Sequence, residues 1–167
     1  PRIISLEQSG FVPDRSIFEN ILMAHELCHK FNTKHKAGNM IMKLDMEKAY
    51  DRISWFFITS VMRKMGFPEE WIDCVWRLVS NCWFSVLING QSRGFFKSGR
   101  GLRQGDPLSP GLFILAAEAL SRSLIDLAKD KQFKPYRMPR DCQTITHLSF
   151  ADAVSYTHLT LPTTPYV

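Results

Sequence analysis

Two strand-forming stretches in this chain each run straight into an aspartate. Met40–Leu44 leads into Asp45 within the octapeptide Leu44-Asp45-Met46-Glu47-Lys48-Ala49-Tyr50-Asp51, and Ile145–Phe150 leads into Ala151-Asp152. Both stretches are apolar and β-prone, so each carboxylate is expected at the end of a strand. Two such carboxylates brought together from distant segments are the hard oxygen donors that a pair of divalent cations needs for phosphoryl transfer. That chemistry constrains the fold strongly, because the two strand ends have to converge. Position 153, directly after the second aspartate, is alanine.

The elements between the boxes read as follows. Ser16-Ile17-Phe18-Glu19 has the form of a capping box, and the helix behind it would present Ile17, Ile21, Ala24, Cys28 and Phe31 on one face. Residues 34–39 read as a polar turn. Ser54 can cap a second helix with Phe57, Ile58, Val61, Met62 and Met65 at helical spacing, stopped by Gly66 and Pro68. A third helix is expected from Pro68, with Glu69 and Glu70 in its positive first turn and Trp71, Ile72, Val75, Leu78 and Val79 inward. Asn89-Gly90 between residues 83–88 and 91–96 predicts a hairpin with a type I′ turn. Asp106-Pro107 reads as the N-cap and first residue of a long helix that is apolar nearly all round from Leu112 to Leu120. A last strand is expected over 144–150. The order implies an α+β fold, with helices on one face of a small antiparallel sheet.

Composition bounds the function. A hydrophobic fraction of 45% suits a globular chain, and 167 residues suffice for one core. The 21 Lys and Arg against 16 Asp and Glu give a formal charge of +5, which permits a polyanionic partner without requiring one. The four cysteines (Cys28, Cys74, Cys82, Cys142) have no C-x-x-C spacing, so buried apolar cysteine is expected rather than zinc. No apolar run approaches the roughly 20 residues that span a bilayer, and no membrane partner is expected. An intracellular location, nucleus or cytoplasm, is the expectation. Residues 153–167 contain no Asp, Glu, Lys or Arg and resemble a translated sequencing-library adapter. They are expected to be a non-native, disordered tail outside a domain spanning 1–152.

Four boxes in order carry a family resemblance. Gln8-Ser9-Gly10-Phe11-Val12-Pro13-Asp14-Arg15-Ser16 with Asn20-Ile21 resembles a fingers motif. Residues 44–51 resemble palm motif A, Gly101-Leu102-Arg103-Gln104-Gly105-Asp106-Pro107-Leu108-Ser109-Pro110 resembles motif B, and His147-Leu148-Ser149-Phe150-Ala151-Asp152 resembles the start of motif C. Together they resemble the fingers–palm part of a non-LTR (LINE-type) retrotransposon reverse transcriptase. The implied fold is a partial right-hand polymerase without its thumb. A group II intron maturase or telomerase branch of the same fold, or a domain that only binds nucleic acid, are the alternatives.

The resemblance implies roles residue by residue. Asp45 and Asp152 would be catalytic, holding two Mg²⁺ ions (Mn²⁺ as a substitute) together with the carbonyl of Met46; taken alone, Asp45 would read as a cap or a surface charge. Tyr50 would exclude a ribose 2′-hydroxyl, with the backbone of Ala49 beside the sugar; the plain alternative is a core aromatic. Arg15 would grip the β- and γ-phosphates of a deoxynucleoside triphosphate, or form an ion pair with Asp14 or Glu19. Gln104 and Gly105 would lie against the template–nascent base pair. Arg100 and Arg103 would touch the backbone of an RNA template or DNA primer, or be solvated loop charges. Trp55, Trp71, Trp76 and Trp83 would pack in the core and just beneath the surface, or form a base-stacking platform. With Ala153 in place of a second motif C aspartate, the chain as written is expected to be inactive.

Overall fold

The computed structural model describes residues 3–29, 39–130, 145–151 and 153–159, with residues 39 and 153–159 described as backbone alone. The elements are α1 (Ile17–His29), β1 (Asn39–Asp45), α2 (Ala49–Arg52), α3 (Trp55–Lys64), α4 (Glu69–Ser80), β2 (Trp83–Ile88), β3 (Gln91–Lys97), α5 (Ser109–Leu127), β4 (His147–Phe150) and β5 (Ala153–Leu159). They divide into two compact units, residues 1–46 with 117–167 and residues 47–116.

The first unit is built on an antiparallel sheet of order β1-β5-β4. The expected strand over 144–150 begins only at His147 and turns back at once, since Phe150 pairs with Ala153. Residues 153–159, expected outside the fold, supply the middle strand of this sheet; residues 160–167 lie outside the described residues. Ladder hydrogen bonds are made by backbone, so a short β-prone run such as Val154-Ser155-Tyr156-Thr157 can pair whatever its origin. Motif C is therefore not left without a hairpin mate.

Helices flank β4 on both sides rather than on one. Successive strand residues face opposite ways, and here His147 hydrogen-bonds to Ser121 of α5 while Leu148 packs on Leu27 of α1. The α1 face differs in part from the one expected: Ile17 and Ala24 are half-buried, Ala24 against Leu27 and Leu148, but Asn20 and Leu27 are buried while Ile21 and Cys28 are exposed, and Phe31 lies outside the described residues. The physical reason is Asn20, whose Nδ2 donates to the Ser149 carbonyl at 3.0 Å and turns that side inward. Ser16 does cap α1, accepting from the Phe18 N–H at 3.2 Å.

In the second unit α3 and α4 pack on each other, with Ile58, Met62, Ile72 and Val75 buried. Ser54 caps α3 by accepting from the Phe57 N–H, and Gly66, at φ +83°, ends the turn beyond it. Of the four tryptophans only Trp55 is buried; it meets Trp76 edge to face at 6.3 Å. Of the cysteines described, only Cys82 is buried, and Cys142 lies outside the described residues. Asn89 and Gly90 both have positive φ, as a type I′ hairpin turn demands. Asp106 does not cap α5 directly. Its Oδ1 accepts from the Leu108 N–H at 2.9 Å, closing a turn, and the helix starts at Ser109. The short helix α2 was not legible, because a single turn leaves no periodicity to read.

Candidate active site

The first unit holds the residues expected to carry metal. Asp45 is the last residue of β1, with an exposed carboxylate, and stands in register opposite Ala153 of β5. Directly opposed residues of an antiparallel pair have Cα atoms about 4.5–5.5 Å apart, so motif A and the residue after motif C are immediate neighbours. Asp152 lies outside the described residues. Met46 follows Asp45 and is 36% exposed. The described donors, a carboxylate and a backbone carbonyl, are the oxygen type that Mg²⁺ takes. Among the described residues no group of three His, Cys, Asp or Glu could hold an ion. The described donors thus match the metal in type alone, and the residue opposite Asp45 is alanine.

The fingers box docks on the motif C strand. Ser9 N–H donates to Ser149 O at 3.0 Å and Ser149 N–H donates to Glu7 O at 2.9 Å, forming a short parallel bridge. Gln8, buried, then grips the turn: its Oε1 accepts from Gly10 N–H at 2.8 Å and Ala151 N–H at 3.0 Å, and its Nε2 donates to Ala151 O at 3.4 Å. Gly10 is required for this approach, since a Cβ there would stand 2.3 Å from the Ala151 nitrogen. Ala151 itself sits at φ +52°. Gln8 and Gly10 were legible only as parts of a motif; nothing in their spacing showed that they clamp another box.

Arg15 is turned inward. Its Nη1 donates to the carbonyls of Ser5 and Gln8, the latter at 2.6 Å, and its Nη2 donates to Ile4 O at 3.2 Å. Neither alternative ion pair, with Asp14 or Glu19, is formed among the described residues, and a phosphate would have to displace these carbonyls. Glu118, buried, holds the same segment, accepting from the Ser5 N–H and Oγ at 2.9 Å and from Arg122 Nε at 3.0 Å. Behind the strand His147 is fully buried between Thr146 Oγ1 at 2.8 Å and Ser121 Oγ at 2.9 Å. Burial pushes its pKa below the ordinary 6.5, outweighing the opposite pull of Glu7 and Glu118.

The second unit holds the residues expected at the nucleotide. Lys48, at φ +52°, turns the chain into α2, which Ala49 opens. The motif B loop is fixed to this helix by backbone: Gly101 N–H donates to Ile53 O at 2.9 Å and Leu102 N–H to Tyr50 O at 2.7 Å. Trp55 Nε1 donates to Gly101 O at 2.5 Å. Gly101 sits at φ +93°, and a Cβ there would meet the Asp51 carbonyl at 3.0 Å. The ring of Tyr50 is stacked on Phe113 of α5, centroids 5.0 Å apart and planes 10° apart. Phe113 and Trp55 thus support the residues expected at the nucleotide; the sequence disclosed Phe113 only as an apolar helix position and Trp55 only as a packing tryptophan.

Gln104 and Gly105 are exposed at the turn before α5, Gly105 at φ +87°. Arg103 is committed to Asp106 at 2.9 Å and reaches Leu78 O at 3.4 Å. Arg100 is exposed and makes no ion pair among the described residues. Arg100, Arg103 and Gln104 share with Trp55 and Phe84 the wall of an open cleft of about 670 Å³.

The family model described as reverse transcriptase (RNA-dependent DNA polymerase) matches residues 2–158. The retrovirus-related Pol polyprotein of the type-2 retrotransposable element R2DM of Drosophila melanogaster is 34% identical over 117 residues, 70% of this chain and 11% of that protein. A 149 kDa protein of transposon TX1 from Xenopus laevis is 31% identical over 116 residues, 70% of this chain and 9% of that protein. The chain therefore spans about a tenth of the length of these relatives. Among solved structures, apo telomerase from Candida tropicalis superposes with a TM-score of 0.60 at 15% identity, over 91% of this chain and 30% of that one, a likeness of fold.

Proposed function

Because the chain belongs to the reverse transcriptase (RNA-dependent DNA polymerase) family, we propose that it is the fingers–palm part of a non-LTR retrotransposon polymerase that copies an RNA template onto a DNA primer. The observation that supports this best is the register that sets Asp45 of motif A against the residue following motif C. Reverse transcriptases work with divalent metal ions. Here Asp45, the Met46 carbonyl and Asp152 would hold two Mg²⁺ ions, with Mn²⁺ as a substitute. When bound, such ions neutralise charge on the transferred phosphoryl group and favour ionisation of the attacking hydroxyl.

The remaining work falls to the chain itself. Tyr50 selects the deoxyribonucleotide by presenting a rigid ring where a 2′-hydroxyl would sit, and Phe113 keeps that ring from swinging aside. Ala49 lies beside the sugar, and Gln104 and Gly105 meet the nascent base pair. Arg100 and Arg103 contact the nucleic-acid backbone, with Arg103 less available because Asp106 shares its charge. Arg15 in this conformation serves the segment beneath motif C rather than a phosphate.

As written the chain is inactive, since Ala153 stands opposite Asp45. The adapter-like composition of 153–167 supports reading that segment as foreign to the parent protein. The test is to restore aspartate at 153 and join the chain to the thumb-bearing remainder of a relative. Mg²⁺-dependent extension of an oligo(dT) primer on poly(rA), abolished by Asp45→Asn, is the expected result; a restored protein that extends nothing refutes the enzyme reading. The missing carboxylate favours a second reading, a domain that binds nucleic acid without catalysis, and that reading survives if binding persists without extension.

A further inference from the structure

We propose that one face of the β2–β3 hairpin, together with the cleft at its base, is a track for single-stranded nucleic acid. This rests on the reading above only for the class of partner. Every residue of β2 and β3 is exposed. The cross-strand pairs Phe84–Phe96, Val86–Arg93 and Ile88–Gln91 place their side chains on a single face. On that face Phe84 is 44%, Val86 52%, Ile88 55% and Phe96 52% exposed. The two phenylalanine rings stack on each other at 5.9 Å, and Phe84 also lines the cleft that Arg100 and Gln104 wall.

Charge decides which partner suits this surface. Residues 74–105 contain five basic and no acidic residues, leaving sixteen of each elsewhere, so this segment carries as much net charge as the whole chain. Arg93 lies on the apolar face and donates to the neutral Gln91 at 2.8 Å, so its charge is not spent on a carboxylate. Arg100, at the far end of the same path, has no ion pair among the described residues. Exposed aromatic rings flanked by uncompensated guanidinium groups match a strand of bases joined by phosphates, which offers a stacking face and a negative charge at each step. A purely apolar protein segment would use the rings and leave the cations unmatched.

The experiment is fluorescence anisotropy of the 167-residue chain with labelled oligo(dT) and with an abasic oligonucleotide of the same length, in EDTA and across a salt series. Phe84→Leu keeps the apolar surface but removes a stacking ring. It should weaken oligo(dT) binding about tenfold and abasic binding less than about twofold. Arg93→Gln should lower the slope of log affinity against log salt by about one for both oligonucleotides. Far-UV circular dichroism should match the unsubstituted chain for both variants; if either disturbs the hairpin, Phe96→Leu and Arg93→Lys replace them, the latter keeping the salt slope. Equal oligo(dT) affinity of Phe84→Leu and the parent overturns the track, as does self-association through the hairpin seen by sedimentation. Binding in EDTA owes nothing to catalysis, so such a failure leaves the polymerase reading standing, and a restored protein that binds without extending leaves the track standing.

Discussion

Tyr50 shows how much a single residue depends on partners far along the chain. Its carbonyl is held by Leu102 and its ring by Phe113. An aromatic at this place was legible from its position in motif A, but its supports were not, because periodicity identifies a buried face and not which ring lies against which. In the restored polymerase Tyr50→Ala should admit ribonucleotides, raising the ratio of kcat/KM for ribo- over deoxynucleotide. Phe113→Leu should raise the same ratio by a smaller factor while leaving deoxynucleotide incorporation largely intact. Gly101 is a second case. Alanine there would be strained at φ +93° and crowd the Asp51 carbonyl, so Gly101→Ala should cost about 1–3 kcal/mol in urea unfolding.

Among the elements, the N-terminal segment gains most from the structure. Residues 3–10 form no helix or long strand, yet Arg15 and Glu118 hold them from two sides, and they in turn hold the motif C turn through Gln8. Gln8→Ala would leave the buried N–H groups of Gly10 and Ala151 without their acceptor. A loss of about 1–3 kcal/mol follows, with faster amide exchange across β4. The helices and the β2–β3 hairpin were readable because caps, glycines and an Asn-Gly turn are local signals. The rotation of α1 was not, because a hydrogen bond from Asn20 to a distant carbonyl outweighed its apolar spacing. The strand at 153–159 was hidden for another reason: its uncharged composition pointed away from the fold, while its backbone needed only two neighbouring edges.

For the molecule as a whole, His147 ties stability to pH. Its pKa in the folded chain lies below the ordinary 6.5, so the unfolded chain binds the proton more readily. Stability is then full above about pH 6.5 and falls as pH drops from there toward the folded value. Urea midpoints measured between pH 7.5 and 5 should decline through that window, and His147→Gln should flatten the decline. The family was legible from four boxes in order, since motifs record chemistry. The state of the proposed metal site was not, since it turns on positions 152 and 153.

The sheet order also dictates a sequence of events. Strand β4 meets β5 across a two-residue connection, whereas β1 pairs with β5 across more than a hundred residues. Contacts that close so long a loop form late and slowly. The hairpin of β4 and β5 can zip early, but among the described residues β1 has no other strand to join and must wait for it. Asp45 therefore reaches its place opposite Ala153 only when the first unit completes itself, so a half-folded chain does not bring these two strand ends together ahead of their scaffold.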